Sequence, residues 1–348
     1  MKGKHAAKRV FGFQKRKATK KQNNKRKILV ITVAGILAML VVLAVCGFIY
    51  ANSILGASTQ VEVDHEELAV TENAFDKREY INVALFGIDA RTDSSEGRSD
   101  AIMILTIDKK HNKIKLSSIA RDSYVNIDGV GKDKLTHAYA YGGAKLAVKT
   151  INQTYGMNIT DYVSVNFFGI ADIIDEIGGV NIDVDSAEMK VMNQNYVPEL
   201  NNIGIPCEYI TETGMQHLTG SQALAYLRNR YVGGDIGRGN RQKEVLGAIF
   251  DEVKKLNVTK YPGLVKMLLS HAETTLSSAE ILSLGVDAAT NLSEVVNFSL
   301  PTDNCNAKYG DDAFINGVWY YIYDLDIAKN ELHDFINEEG KYAANTGE

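Results

Sequence analysis

Apolar runs alternate with polar, turn-forming stretches along residues 80–256, and their length and period predict alternating strands and helices. The run YINVALFGI, residues 80–88, is almost continuously apolar, as expected for a strand that is covered on both faces. The runs AIMILTID and IKLSSIA, between which the polar residues KHNK form a turn, predict two further neighbouring strands. These three segments therefore predict the centre of a sheet.

The period then changes, so that helical and strand-like segments follow one another. The segments that predict helices are AYAYGGAKLAVKTINQTYG, FFGIADIIDEIGG, SQALAYLRNR, NRQKEVLGAIFDEVKKLN, most of residues 260–290, and a last surface helix DLDIAKNELHDFIN. The segments that predict strands are DYVSVNF, VNIDV and EVVNFSL. This alternation favours an α/β fold in which a mixed central sheet lies between layers of helices.

The N-terminal part has a different composition from the rest of the chain. Residues 28–51 contain no Lys, Arg, Asp, Glu or His over 24 positions, and about 20 apolar residues suffice to cross a bilayer as a helix. A cleaved signal peptide would have a shorter apolar run and a small-residue cleavage site. The segment therefore predicts an uncleaved signal-anchor.

Charge predicts the orientation of that anchor. Residues 1–27 carry nine Lys and three Arg and no acidic residue, whereas the remaining 26 basic and 43 acidic residues give the rest of the chain a net charge of −17. Because Lys and Arg are retained on the cytoplasmic side, the basic tail is expected to be cytoplasmic and the acidic part extracellular. The cell membrane is the expected location.

Five regions follow from these patterns: a basic tail (1–27), a transmembrane helix (28–51), a polar stalk (52–78), a folded extracellular domain (79–338) and a disordered tail (339–348). The exterior part is long enough for one large core. Its two cysteines, Cys207 and Cys305, are compatible with one disulfide, but their pairing cannot be deduced from the sequence.

Arginine is distributed very unevenly over the exterior part. Of its eight arginines, all but Arg78 fall into three short stretches, GIDARTDSSEGRSD, SIARDSYV and YLRNRYVGGDIGRGNRQ, while the lysines are scattered. Scattered lysines are typical of a solvated surface. Arginine keeps its charge and matches two oxygens of a phosphate or carboxylate at once, so clustered arginines predict an anion-binding site.

The first two stretches come at predicted strand ends. Asp89 follows the first strand and Asp100 precedes the second, which would place both carboxylates at one sheet edge, where ligand sites of open sheets commonly lie. Arg121 follows the third strand, with Asp122 beside it as a structural partner. Aspartates at strand ends also serve as ordinary turn or cap residues, so their role is open at this point.

The third stretch adds further basic side chains. Arg228 and Arg230 share a face only if the chain is extended, so the helix before them should end near Leu227. Arg238 and Gln242 are four residues apart and would share one face of the following helix, where a positive charge in the first turn opposes the helix dipole and favours a bound anion.

The chemistry predicted from these residues is phosphoryl transfer on an anionic substrate. No histidine pair has zinc-ligand spacing, and no phosphate loop, nucleophile elbow or kinase signature is present. Two aspartates with several arginines fit Mg²⁺, which takes oxygen ligands and shares them with substrate phosphates. A carboxylate near the metal is a candidate base, though its identity is open.

Taken in order, seven blocks resemble the LytR-CpsA-Psr family over roughly residues 80–256. They are GIDAR, GRSDAIMILTID, KIKLSSIARDSYV, GKDKLTHAYAYGG, DEIGGVNIDV, LTGSQALAYLRNR and DIGRGNRQ. The resemblance implies a three-layer α/β/α fold with an apolar groove for a polyprenyl chain. It implies a transferase that moves a glycan phosphate, such as teichoic acid or capsule, from a polyprenyl pyrophosphate carrier to peptidoglycan, at the C6 hydroxyl of N-acetylmuramic acid.

The same resemblance assigns roles to individual positions. Asp89 and Asp100 would bind Mg²⁺, and the pyrophosphate would be bound by Arg121, Lys134, Arg228, Arg230, Arg238 and Gln242. Two departures from the family pattern are Ala120, where proline is usual, and a short segment between Arg230 and Arg238.

Two alternatives stay open from the sequence. A hydrolase that cleaves the lipid pyrophosphate would use the same phosphate-binding residues as a transferase. A membrane-bound transcription regulator would need a folded cytoplasmic reader, and the polar tail of residues 1–27 cannot bury a core, so nucleic acid is not an expected partner. The glycan that is transferred and the oligomeric state cannot be read from the chain.

Overall fold

The structure is a computed structural model that describes residues 61, 63–88, 97–291 and 294–342. The predicted basic tail, the predicted transmembrane segment and Asp89 lie outside these residues. Within the part of the chain that is described, no helix combines the length and the apolar character that a membrane span requires.

Strands and helices alternate as the sequence predicts. The strands are β1 (Tyr80–Ile88), β2 (Ser99–Asp108), β3 (Lys113–Ile119), β4 (Tyr124–Ile127), β5 (Gly131–Lys134), β6 (Asp161–Asn166), β7 (Val180–Val184), β8 (Gly214–Leu218), β9 (Ala272–Thr274), β10 (Glu294–Leu300), β11 (Phe314–Ile315) and β12 (Val318–Trp319). The α-helices are α1 (Leu135–Tyr155), α2 (Phe167–Glu176), α3 (Ser186–Val191), α4 (Val197–Asn202), α5 (Gly220–Arg228), α6 (Gly234–Lys255), α7 (Tyr261–His271), α8 (Ser278–Asn291) and α9 (Leu325–Asn337).

Six strands form a mixed central sheet in the order β10-β3-β2-β1-β6-β9. The pairs β1–β2, β2–β3 and β6–β9 are antiparallel, whereas β1–β6 and β3–β10 are parallel. The expected mixed α/β fold is therefore confirmed. The VNIDV segment, β7, pairs with β8 in a separate two-stranded sheet instead of joining the central one.

Helices cover both faces of the central sheet. On one face, sheet residues such as Phe86 and Ile104 pack with Ile151 of α1 and Leu332 of α9 in the largest apolar cluster. On the other face lie α2 and α5 to α8. Because successive side chains of a strand point to opposite faces, the apolar runs of β1 and β2 supply both layers.

The long helix α1 contains a kink at its glycine pair. Gly142 (φ −147°, ψ 24°) and Gly143 (φ 64°, ψ −162°) both leave the helical region. The positive φ of Gly143 is a conformation that side-chain-bearing residues rarely adopt. The glycines that the sequence places inside this helix therefore divide it into two segments.

The folded domain extends beyond both predicted boundaries. Leu68 is 1% exposed and Phe75 is 4% exposed, so the end of the predicted stalk belongs to the core. Buried Asn152 and Asn158 donate side-chain hydrogen bonds to the carbonyl oxygens of Leu68 and Phe75, both at 2.9 Å. At the other end, Tyr342 packs against the Phe335 ring at 5.6 Å between centroids, so the predicted disordered tail is ordered at least to residue 342.

Both cysteines of the described part, Cys207 and Cys305, are buried and free. The disulfide that the sequence left open is therefore not formed in this structure.

Candidate functional site

Asp100 is the centre of a cluster of arginines at the end of the sheet. It is the second residue of β2 and is 8% exposed. One carboxylate oxygen pairs with Arg121 and the other with Arg230, while Arg238 Nη1 lies 3.8 Å from the second oxygen. We call Asp100, Arg121, Arg230 and Arg238 the arginine cluster. Three segments far apart in the chain meet here, as the sequence predicted for these four residues.

Asp122 holds two cations beside this cluster. Arg121 Nε donates to Asp122 Oδ2 at 3.2 Å, and Lys134 Nζ lies 2.7 Å from Asp122 Oδ1. Burial raises the pKa of Asp122, but the hydrogen bond from Lys134 and the charge of Arg121 outweigh that effect and leave its pKa below the ordinary value. The carboxylate is therefore ionised and orients both cations. Lys134 is therefore connected to the arginine cluster indirectly, because Asp122 contacts both Lys134 and Arg121.

The turn before Arg121 contains Ala120, whose backbone N–H makes a hydrogen bond in this structure. Ala120 stands where proline is usual, and its backbone N–H donates to Leu300 O at 3.0 Å. Proline has no N–H and cannot make this bond. The end of β3 is thus tied to β10 by a contact that is available only to a residue other than proline.

Arg241 fixes the segment that carries Arg230. Helix α5 ends at Arg228, one residue later than predicted, and Asn229 is extended (φ −63°, ψ 112°). Arg241 Nη2 donates to Asn229 O at 2.6 Å and to Val232 O at 2.7 Å. Its Nη1 donates to Glu188 at 3.0 Å, and the side chain is 4% exposed. Arg241 belongs to the third arginine stretch, which as a whole predicts an anion-binding site, but its contacts here are with backbone carbonyl groups and Glu188.

Arg238 and Gln242 do share one side of α6, but not in its first turn. The helix begins at Gly234, which makes Arg238 its fifth residue. The effect of the helix dipole is confined to the first turn, so the dipole does not favour a bound anion at Arg238 as the sequence predicted. Gln242 is 5% exposed, and its Nε2 has no hydrogen-bond partner among the described residues. A buried amide donor of this kind is well placed to bind an oxygen of a ligand.

Arg228 contacts Glu199, an acidic residue outside the arginine cluster. Its Nη2 donates to Glu199 Oε1 of α4 at 3.1 Å, and its side chain is 11% exposed. The structure therefore joins Arg228 to the α4–α5 region, and its predicted role in phosphate binding stays a prediction.

An apolar cavity of about 340 Å³ lies between the sheet and helices α6 to α8. Its sheet wall includes Leu85 and Met103, its helix wall includes Ile249 and Leu268, and Gln242 also lines it. The cavity therefore extends from the apolar interior to the helix that carries Arg238. The helical stripe of α6 was read from the sequence as ordinary packing, because periodicity alone does not distinguish a packed face from a cavity wall.

Asp100 is the one predicted Mg²⁺ ligand that lies within the described residues. Asp89 lies outside the described residues. Asp100 supplies the hard oxygen ligands that Mg²⁺ takes, but both oxygens face guanidinium groups, so an ion fits here only together with a polyphosphate that binds those groups. Among the described residues, a second acidic group, Asp108 with His111 and Glu338, encloses the ammonium of Lys115 at 2.5 Å from Asp108 Oδ2, which leaves no place for a metal.

Comparison with known proteins identifies the family of this chain. The model of the LytR_cpsA_psr family matches residues 48–335. The polyisoprenyl-teichoic acid–peptidoglycan teichoic acid transferase TagT of Bacillus subtilis is 34% identical over 284 residues, which are 78% of this chain and 85% of TagT. A transferase of the same description, TagU of Bacillus cereus, is 30% identical over 320 residues, 88% of this chain and 96% of TagU.

Solved structures show the same fold. One is described as the LytR-CPS2A-psr family protein YwtF (TagT) with bound octaprenyl pyrophosphate lipid, and it superposes with a TM-score of 0.56 at 29% identity over 81% of this chain and 96% of that chain. The family match covers most of the chain, including all the described site residues. The chain belongs to the LytR-CpsA-Psr family.

Proposed function

We propose that this protein is a membrane-anchored phosphotransferase that moves a glycan phosphate from a polyprenyl pyrophosphate carrier to a hydroxyl of peptidoglycan, the C6 hydroxyl of N-acetylmuramic acid. One observation carries the proposal: an apolar cavity adjoins a cluster of arginines at α6, where Gln242 lines the cavity one turn beyond Arg238. A molecule that fits both is a long apolar chain that ends in a polyanion. The relatives TagT and TagU are named as transferases of this kind.

The arginine cluster supplies fixed positive charge for the reaction. Arg121, Arg230 and Arg238 are prearranged around Asp100, so phosphate oxygens that replace the carboxylate find the cations already in position. The bond that breaks joins the transferred phosphorus to the oxygen that bridges the two phosphorus atoms. As it breaks, the leaving polyprenyl phosphate gains negative charge. The same guanidinium groups stabilise that charge.

Mg²⁺ is the proposed cofactor, held by Asp100 and Asp89. When bound, it would neutralise further phosphate charge and polarise the reacting phosphoryl group. Asp100 would exchange its contacts with Arg121 and Arg230 for the metal, and these guanidinium groups would bind phosphate oxygens. Asp122 keeps Arg121 and Lys134 oriented during this exchange, because its contacts do not involve Asp100.

The apolar segment 28–51 supports the proposed anchor, and the basic residues before it support a cytoplasmic N-terminus. The carrier lipid resides in the membrane, so an anchored domain meets its substrate at the membrane surface. The protein is then an extracellular enzyme of cell wall biogenesis.

A substitution at Gly285 can fill the cavity without removing an existing side chain. Gly285 of α8 lines the cavity. Apart from its chain neighbours and the nearby backbone of its own helix, no atom lies within 4 Å of the position that a Cβ would occupy. Gly285→Trp should therefore occupy the lipid site, while Gly285→Ala, the matched control, gains only the helix propensity of about 1 kcal/mol.

The measurement is the affinity of the full chain in detergent for octaprenyl pyrophosphate and for inorganic pyrophosphate. We expect Gly285→Trp to lose at least tenfold in affinity for the lipid and to retain its affinity for inorganic pyrophosphate. Equal lipid affinities for the Trp and Ala variants would show that the cavity does not hold the polyprenyl chain.

A further inference from the structure

Aromatic side chains form an exposed surface next to Lys134, on the far side of Asp122 from the arginine cluster. Lys134 Nζ lies 5.8 Å from the centre of the Trp319 ring and 5.6 Å from that of Tyr320. The rings of Tyr124 and Tyr320 are 4.8 Å apart. Trp319 is 36% exposed. We call Tyr124, Lys134, Trp319 and Tyr320 the aromatic platform.

The platform is held rigidly to the phosphate-binding region. Trp319 lies in the hairpin β11–β12, where Phe314 pairs with Trp319 and the turn contains Asn316 and Gly317, both with positive φ (52° and 79°). This Asn-Gly turn matches the twist of a tight hairpin. Tyr321 N then donates to Asp122 O at 2.9 Å, so the strand after Trp319 is bonded to the residue that orients Arg121.

The platform and the cavity lie on opposite sides of the central sheet. Tyr321 and Tyr323, next to the platform, pack with the α1 and α9 layer, as do Val125 and Leu135 beside Tyr124 and Lys134. The cavity lies on the other face, against α6 to α8. The arginine cluster is at the end of the strands, between the two. A series of contacts, Arg238–Asp100–Arg121–Asp122–Lys134, therefore connects the helix that lines the cavity to the platform.

We propose that the aromatic platform binds the sugar rings of the acceptor, a glycan strand of peptidoglycan, and that it does so beside the phosphorus to be attacked. This inference rests on the proposed function. In phosphoryl transfer, the attacking oxygen and the leaving oxygen are roughly in line with the phosphorus. With the leaving polyprenyl phosphate on the cavity side, the acceptor hydroxyl approaches from the side of the platform.

The chemistry of the platform fits a sugar better than a polyanion or a lipid. Aromatic rings present a negative face, against which the C–H groups on one face of a pyranose ring pack. Tyr124, Tyr320 and Lys134 add hydroxyl and ammonium groups that hydrogen-bond sugar oxygens. Exposed aromatic groups of this kind, clustered rather than scattered, are characteristic of binding surfaces.

The chain reports on this surface without a label, because Trp319 is its single tryptophan. Intrinsic fluorescence of the full chain in detergent is recorded while soluble oligosaccharides of alternating N-acetylglucosamine and N-acetylmuramic acid are added. We expect a saturable change with these fragments and none with lipid-free teichoic-type glycan phosphate. No change with the fragments, or an equal change with the donor glycan, would overturn the assignment.

Kinetics of the variants separates binding from folding. Trp319→Ala should raise the KM for the acceptor about tenfold and leave the KM for the lipid donor unchanged, and Trp319→Phe should restore most of the loss. Tyr209→Ala removes another exposed aromatic side chain, 58% exposed, and is the matched control that should change neither constant. A parallel rise in both KM values for Trp319→Ala would contradict the proposal.

The two proposals fail separately. The fluorescence titration needs no transfer reaction, so a saturable response together with absent transfer would reject the proposed function and retain the glycan site. Transfer that proceeds with an unchanged acceptor KM in Trp319→Ala would retain the proposed function and reject the platform.

Discussion

Asp100 occupies the place that we assign to substrate phosphates, and replacing it with asparagine tests that assignment. Its carboxylate is 8% exposed and faces Arg121, Arg230 and Arg238. Asp100→Asn keeps the size of the side chain but removes this negative charge from among the three guanidinium groups, while Asp122 still contacts Arg121. The variant should therefore be less stable and should bind anions more readily.

The size of the expected stability loss depends on how exposed the arginine side chains that pair with Asp100 are. Removing one member of a buried ion pair costs about 3–5 kcal/mol, but the Arg230 side chain is 43% exposed, and solvent screens its share. We expect a loss of about 2–4 kcal/mol, which for a domain of this size lowers Tm by roughly 5–12 °C. An anion at one hundred times its Kd adds about 2.7 kcal/mol, so inorganic pyrophosphate should restore most of the loss.

The assay is thermal unfolding of the full chain in detergent, followed by circular dichroism with and without inorganic pyrophosphate. Asp108→Asn is the matched control: Asp108 is at the other end of β2, its side chain is fully buried, and it pairs with Lys115 at 2.5 Å. Both variants should lose stability, and pyrophosphate should raise Tm in both, but by more in Asp100→Asn, whose arginine cluster binds anions more readily. An equal response of the two variants to pyrophosphate would refute the reasoning.

Three further changes test other parts of the structure. Arg241→Lys loses the fork that holds residues 229–232 and should weaken pyrophosphate binding by about tenfold, measured by calorimetry, with a Tm that falls by only a few degrees. Burial lowers the pKa of Lys243 from 10.5 to about 8, so the stability penalty of this charge is present below pH 8 and disappears as the pH rises to 10.5. Lys243→Met removes that penalty but also loses the hydrogen bonds that Nζ donates to Phe298 O and Ser299 Oγ, so it should be more stable than the parent at pH 7 by less than about 3 kcal/mol and should lose that advantage over this pH range in denaturant titrations. Gly220→Ala would place a Cβ 2.0 Å from Ala171 O, and a loss of about 3 kcal/mol or more is expected in the same titrations.

The arginine cluster was accessible from the sequence because two independent signals agreed. Arginines were confined to short stretches, and those stretches coincided with strand and helix ends, so seven residues were expected to converge: Asp89, Asp100, Arg121, Arg228, Arg230, Arg238 and Gln242. Four of them, Asp100, Arg121, Arg230 and Arg238, meet in the structure. Their proximity is observed, whereas their roles in phosphate and metal binding stay predictions. Arg241, in the third of these stretches, instead contacts backbone carbonyl groups and Glu188. Residue types do not indicate which backbone carbonyl groups a side chain will contact.

Burial of isolated apolar residues was harder to predict. Leu68 and Phe75 stand in an acidic segment without a regular period, so nothing in the sequence indicated that they join the core. The aromatic platform was missed for a similar reason: Tyr124, Lys134 and Trp319 come from three separate segments, and only the pairing of β4 with β5 and the hairpin β11–β12 brings them together.

The most direct test of the whole account is a transfer reaction with the full chain in detergent, a polyprenyl pyrophosphate-linked glycan, Mg²⁺ and peptidoglycan fragments. We predict glycan joined covalently to the fragments through a phosphodiester, as detected by mass spectrometry, and loss of that product in Arg121→Ala. Release of free glycan phosphate without any linked product, although acceptor is present, would contradict transfer and identify a hydrolase.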